Sequence, residues 1–331
     1  MAKKKAETTE IEITPEQIAA EQRAIRENRA SKAIQNKRYF SILVDVENGI
    51  LNGGPDQEGA QRVDQFTGLG FVTPMCIKWY IRRYVEMLKA GEEGFKNYMA
   101  LPTLEDGITL NDRDEAILAD VDAAVKQKPI LSKNNALIDE KIRDFACAKY
   151  FDVRAFGAVM TTFSKNPYNC SQIRGPVQIL TGRSIDPIEE VCVTVSRRIV
   201  TKKDDLAKKQ QDLGRQYMTP YALFRIDGYV NVADARNTGL SEDDLDVLWE
   251  SIWNMFEENI SATGGLRTVR QLAVFKYDSA LGGGMRNSDI QKIIEVQKRE
   301  GVDVPRSYDD YQVEVHAERL PSNVVLEHLY Q

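Results

Sequence analysis

Arginine and glutamine side chains can hold phosphates and ribose hydroxyls without reading base identity, and residues 169–187 (NCSQIRGPVQILTGRSIDP) concentrate them. Ser171, Gln172, Arg174, Gln178 and Arg183 fall in this segment together with Gly175 and Gly182, which let backbone approach a ligand. Taken alone, the pattern equally describes an edge strand with a polar outer face. A second concentration of charge follows directly. From Ser196 to Arg225 there are eight Lys or Arg, among them Arg197, Arg198 and Arg215, against three Asp, a local balance of +5 in a chain of net charge −6. A long charged excursion between strands suits binding; the competing reading is a solvated hairpin loop.

Other chemistries lack their spacing. No G-x-x-x-x-G-K-[ST] occurs, and the Gly-Gly runs at 264–265 and 282–284 read as turns. The only histidines, His316 and His328, exclude a multi-histidine zinc site. Asp45, Asp56 and Asp64 could gather at a metal, but turn-forming Asp in a Gly-rich loop is the favoured reading. No cofactor is expected. The four cysteines (76, 147, 170, 192) are scattered, with Cys76 and Cys192 placed in apolar patterns, as in a reduced cytoplasmic protein. No apolar run is long enough to span a bilayer, and MAKKKAETTE leads into no secretory signal. The net negative charge does not exclude an anionic partner, since acid is concentrated at 105–120 (−5) and 241–258 (−7).

The elements that must position these residues are legible as an α+β pattern. Residues 1–37 read as a helical or mobile arm: Thr14, Pro15 and Gln17 form a helix start, but the large apolar side chains of that helix are few, Ile18, Ile25 and Ile34. The core domain, 38–331, opens with a strand at 39–46 and a Gly-rich loop at 47–71, long enough to be functional. Thr73 and Pro74 start a helix with Ile77, Tyr80, Ile81, Tyr84, Val85 and Leu88 inward, and Lys78, Arg82, Arg83 and Lys89 outward. Residues 94–149 read as a helical insertion. Strands are expected at 151–163, at 177–180, as a half-buried strand at Val191, Val193 and Val195, after Pro220, and at 269–277. Ser241 and Asp244 open a second helix carrying Leu245, Leu248, Trp249, Ile252, Trp253 and Phe256. Segments 311–316 and 324–329 could form an edge hairpin. The core order, strand, helix, strand, strand, helix, strand, is the ferredoxin-like, RNA-recognition-motif-like plan.

The run SQIRGPVQILTGRSIDP, the basic excursion and its ending LGRQYMTPYALFRIDGYV closely resemble the Cas-seven family, the backbone subunit of CRISPR surveillance complexes, in its type I-C branch. RYFSILVDVENGILNGGPD, FVTPMCIKWYIRRYV, LAVFKYDSALG and PRSYDDYQVEV extend the resemblance over 38–329, in one order. It implies an RRM-like palm with a protruding thumb β-hairpin, here 196–220, and a non-catalytic subunit that polymerises along guide RNA in a Cascade complex. The implied partners are CRISPR guide RNA, further copies in a helical filament, other Cascade subunits and target DNA, with no membrane. Matched to the motifs, Gln172, Arg174 and Gln178, with Lys78, Arg82 and Arg83, become guide-RNA contacts, and Arg183, Arg197 and Arg198 join them. An apolar residue at the thumb tip is implied alongside the cations, with Leu213, Met218 and Arg215 as candidates. The alternative from the same superfamily is an endoribonuclease cutting with a loop Asp, Asp45 or Asp64.

Overall fold

The computed structural model describes residues 14–100, 107–128, 131, 135–160, 172–197 and 212–331. Its first half carries α1 (Pro15–Lys32), β1 (Arg38–Gly49), β2 (Leu69–Val72), α2 (Pro74–Leu88), α3 (Leu110–Gln127), α4 (Asn135–Lys149), α5 (Phe151–Phe156) and β3 (Gly157–Val159). There follow β4 (Gln172–Arg174), β5 (Val177–Ile179), β6 (Gly182–Pro187), β7 (Val191–Arg197), β8 (Asp212–Val230), α6 (Val232–Thr238) and α7 (Glu242–Asn254). The chain closes with β9 (Leu266–Tyr277), α8 (Asn287–Ile290), β10 (Ile294–Lys298), β11 (Tyr311–Val315) and β12 (Val324–Tyr330). Two compact units result: residues 1–33, 93–175 and 234–241 in one, and residues 34–92, 176–233 and 242–331 in the other.

The larger unit is built on β1, whose first nine residues are all buried. It pairs antiparallel with β8 on one side and β9 on the other, and the sheet runs β12-β9-β1-β8-β6-β2, with β5 also on β8. One face of β1 turns Phe40 onto Trp249 of α7, ring centroids 5.3 Å apart. Gly228, opposite Phe40 in β8, is required there: a Cβ would lie 2.2 Å from the Phe40 ring. The other face packs Tyr39 and Leu43 beneath the β10–β11 pair, with Ile293, Ile294, Val296 and Tyr311. Both helices fall where the sequence puts them, α2 capped by the Thr73 hydroxyl and α7 burying Leu245, Leu248, Trp249 and Ile252.

Four expectations are corrected. Residues 151–156 are helix α5, and only Gly157–Val159 is strand; the polar Asp152 and Arg154 that alternate with apolar neighbours are buried on backbone partners, not turned to solvent. There the Asp152 carboxylate accepts from the backbone N–H groups of Tyr98 and Met99 at 2.7 and 3.0 Å. The second strand of the core plan is therefore β5 with β6. Segments 311–316 and 324–329 do not pair with each other; β11 pairs β10, while β12 forms the sheet edge on β9. The valines of β7 are not half-buried, since Val191, Val193 and Val195 are 42, 41 and 43% exposed. Cys192 beside them is exposed too, whereas Cys147 is buried.

The smaller unit packs α3, α4, α5 and β4 around Tyr98, Ile117, Ile142, Val153 and Ile173. Within it, α1 is docked: Ile25 packs on Leu131 and Leu137, and the Glu140 carboxylate accepts from Arg26 and Arg29 at 2.6 and 2.5 Å. The sequence hides this because two arginines, not an apolar stripe, make the contact. Burial alone would push the Glu140 carboxyl up, but the two guanidinium hydrogen bonds outweigh it and hold it low. A depressed carboxylate contributes stability above its unfolded pKa, which is lost as pH falls through the folded value. Glu140→Gln, which keeps an acceptor but removes the charge, should cost roughly 1–2 kcal/mol at neutral pH and flatten the loss of stability on acidification. Faster amide exchange along α1 than along α3 is the accompanying readout.

Candidate nucleic-acid interface

Strand β8 explains how the basic excursion is carried. Its second half, Thr219 to Val230, pairs with β1 inside the sheet; its first half leaves the sheet and pairs with β7, from Val191 opposite Met218 to Arg197 opposite Asp212. The result is a two-stranded ribbon continuous with a central strand, and Val191–Ser196 are exposed on both of its faces. Continuity fixes its direction, since it cannot swing without bending β8. Arg215 projects from mid-ribbon opposite Thr194, with Glu58 at 3.9 Å. Met218, expected near the tip, is at the base opposite Val191. A strand rises over 3 Å per residue, so the base is far from any tip. Arg198 and the side chains of Arg197 and Leu213 lie outside the described residues.

Helix α2 supplies a second station. Arg83 is exposed and lies over the Trp79 ring at 5.8 Å, and Arg82 is half-buried. Lys78 departs from expectation: it shares the inner stripe with Ile77, Ile81 and Val85 and is only 7% exposed. Residues at 77, 78, 81 and 85 share one face of a 3.6-residue helix, so the position was inward by period. Burial, and then the Arg82 guanidinium, push the Lys78 ammonium down to about 8.

The third station spans β5 and β6. Gln178 is half-buried opposite Tyr229, and Arg183 is exposed opposite both Phe71 and Arg225. Gln172 and Arg174 belong to the smaller unit, where they share the exposed face of β4 with Ile173 buried behind them. Arg174 meets Asp234 at 3.2 Å.

The Gly-rich loop after β1 is a built object. Gln61, almost wholly buried, accepts at Oε1 from the N–H groups of Leu51 and Asn52 and donates from Nε2 to the Phe71 carbonyl. Asn52 Oδ1 accepts from Thr73 N–H, tying the loop to the start of α2. The three suspected carboxylates each lie beside an arginine, Asp45 of β1 with Arg270 at 2.7 Å, and in the loop Asp56 with Arg62 at 3.7 Å and Asp64 with Arg183 at 3.3 Å. Burial raises the Asp45 carboxyl despite Arg270. Among the described residues no three His, Cys, Asp or Glu are grouped to hold a metal ion, and no helix is long and apolar enough to cross a membrane. Phe66, not among the residues expected from sequence, is held fully in solvent by the loop; its signal in the sequence is a lone aromatic between Asp64 and Gly68.

The model of the family described as CRISPR-associated protein Cas7 matches residues 36–316. A relative from Haloferax volcanii, named CRISPR-associated protein Cas7, is 23% identical over 264 residues, covering 76% of this chain and 74% of the relative. A chain of a solved CRISPR RNA-guided surveillance complex, pre-nicking, aligns at 12% identity and a TM-score of 0.43, over 72% of this chain and 78% of that one. A chain of the type III-B Cmr-beta complex bound to cognate target RNA aligns at 12% identity and a TM-score of 0.38, over 79% of this chain and 68% of that one.

Proposed function

The chain belongs to the Cas7 family, and from that premise we propose that it is a non-catalytic backbone subunit that binds CRISPR guide RNA. Further copies add along the RNA in a helical filament, within a type I-C Cascade complex that recognises target DNA. The core is read as an RRM-like palm. In support, the strand order β9-β1-β8-β6 and the helices α2 and α7 follow the ferredoxin-like plan. The observation that carries the reading is the ribbon: an exposed extension of a central strand, leading into a segment whose local charge is +5 between Ser196 and Arg225. Phosphate binding follows the local field of such an arm, not the net charge of −6. The non-catalytic part is favoured by the carboxylates of Asp45 on β1 and of Asp56 and Asp64 in the loop, each engaged by a different arginine.

Binding should be insensitive to sequence and steep in salt. Arg82→Ala and Arg183→Ala should each weaken binding alike for all single-stranded RNAs and flatten the salt slope by about one unit. Equilibrium titrations at several salt concentrations check this, and a slope unchanged in the double variant would refute the assignment. Asp45→Ala in the same preparations should not alter RNA cleavage with added divalent metal; a metal-dependent cut abolished in that variant would make the protein a ribonuclease.

A further inference from the structure

Phe66 is 100% exposed, at a position with little freedom. Its backbone N–H donates to the Asp64 carboxylate at 3.1 Å. Gly68 N–H donates to the Asp64 carbonyl at 2.8 Å, and Asp64 N–H to the Leu69 carbonyl at 2.9 Å. Gly68, with φ +69°, takes the left-handed conformation that closes the turn. Arg183 Nη1 reaches the same Asp64 carboxylate at 3.3 Å. The Phe66 N–H foremost, with Arg183 in support, keeps that carboxyl below its usual range, so the turn is held together across neutral pH.

A phenyl ring in water forgoes the hydrophobic gain that folding down would give it, and a slack loop would let it fold down. This turn holds it out. Its chain neighbours Gln65 and Thr67 are exposed and polar, so they add no apolar surface to the ring. The carboxylate that holds its backbone also holds a cation: Asp64 engages one of the five N–H donors of Arg183, whose side chain is 54% exposed. An exposed aromatic ring and an exposed guanidinium anchored on one carboxylate supply what a single strand needs, a face for one base and a charge for one phosphate. Preorganisation means that little ordering entropy remains to be lost on binding.

We propose that Phe66 is a stacking platform for one unpaired base of the bound RNA, with Arg183 on the adjoining phosphate. This rests on the RNA-binding reading and adds to it a base contact outside the ribbon. Stacking is tolerant of base identity, since every base has a π face, as a subunit loaded with varied guides requires.

The test uses the full chain and a fluorescently labelled single-stranded RNA of mixed sequence, titrated by anisotropy over a range of salt. Phe66→Ala should raise Kd by about 5- to 150-fold with the salt slope unchanged, whereas Arg183→Ala should lower that slope by about one unit. Phe66→Trp should restore wild-type affinity, and its indole emission should be quenched by RNA. The urea midpoint of Phe66→Ala should match wild type, because the ring touches no core. Wild-type binding with an unaltered Phe66→Ala, or indole emission unmoved by saturating RNA, overturns the stacking role alone. Failure of the wild-type chain to bind RNA overturns the functional reading with it.

Discussion

Excision of Thr194–Arg215, with Val193 joined to Gln216 by a two-residue Asn-Gly turn, is expected to leave the fold standing and abolish ordered loading on RNA. Val193 and Gln216 are direct partners, so the graft closes an existing rung with the turn that antiparallel strands favour. Described residues within the excised span, Thr194–Ser196 and Gly214–Arg215, are exposed, so little buried area is removed and the thermal midpoint should move by no more than a few degrees. Binding is another matter. The span carries seven Lys or Arg against three Asp. Removing one phosphate ligand weakens binding roughly fivefold near 0.15 M salt, and removing three amounts to about 100-fold. Chemical probing of bound RNA should show a repeating pattern of reactive nucleotides with the wild-type chain and none with the excised one. The same repeat in both would reduce the ribbon to a solvated loop.

That design was not available from the sequence alone, and the reason is physical. Alternation at 191–195 correctly reads as strand, but period two cannot say whether either face is covered. Only the pairing of β7 with a strand that has already left the sheet leaves both faces in water. The buried strands and the two amphipathic helices of the larger unit were legible, because their apolar periods are long enough to survive single polar insertions such as Lys78. Residues 151–156 misled because Asp152 and Arg154 alternate with Phe151, Val153 and Ala155 as in a half-buried strand, whereas both polar side chains are buried on backbone partners, Asp152 on the Tyr98 N–H and Arg154 on the Cys147 carbonyl. Docking of α1 went unseen because Glu140, which receives Arg26 and Arg29, lies over a hundred residues away.

The site was legible as types more than as places. Arg82, Arg83, Arg174 and Arg183 do reach solvent to differing degrees, since guanidinium groups resist burial without partners. Gln172 and Arg174 turned out to belong to a different compact unit from the other candidates, a division that no local pattern announces. Phe66 was passed over because a loop aromatic ordinarily folds onto the core; what holds it out is backbone hydrogen bonding, which sequence shows only as Asp and Gly at the right interval.

Replacement of Lys78 by methionine should stabilise the free protein while weakening its hold on RNA. The ammonium is nearly enclosed on the apolar stripe of α2, one turn from the like charge of Arg82, and its pKa stands at about 8 against an ordinary 10.5. Such a group charges more easily in the unfolded chain, so at neutral pH the folded state bears a penalty on the order of 3 kcal/mol. Between the two values the unfolded chain holds more protons, hence wild-type stability should rise with pH from about 8 to about 10.5, whereas that of Lys78→Met should not. The gap in urea midpoint between the two proteins should therefore be widest near pH 7 and close in alkali. RNA reverses the preference: a phosphate beside two mutually repelling cations favours the charged form of both, so wild-type affinity should fall as pH passes about 8, and that of the variant should stay flat. A stabilised Lys78→Met with undiminished affinity would remove Lys78 from the interface and leave Arg82 and Arg83 as the phosphate ligands of this helix.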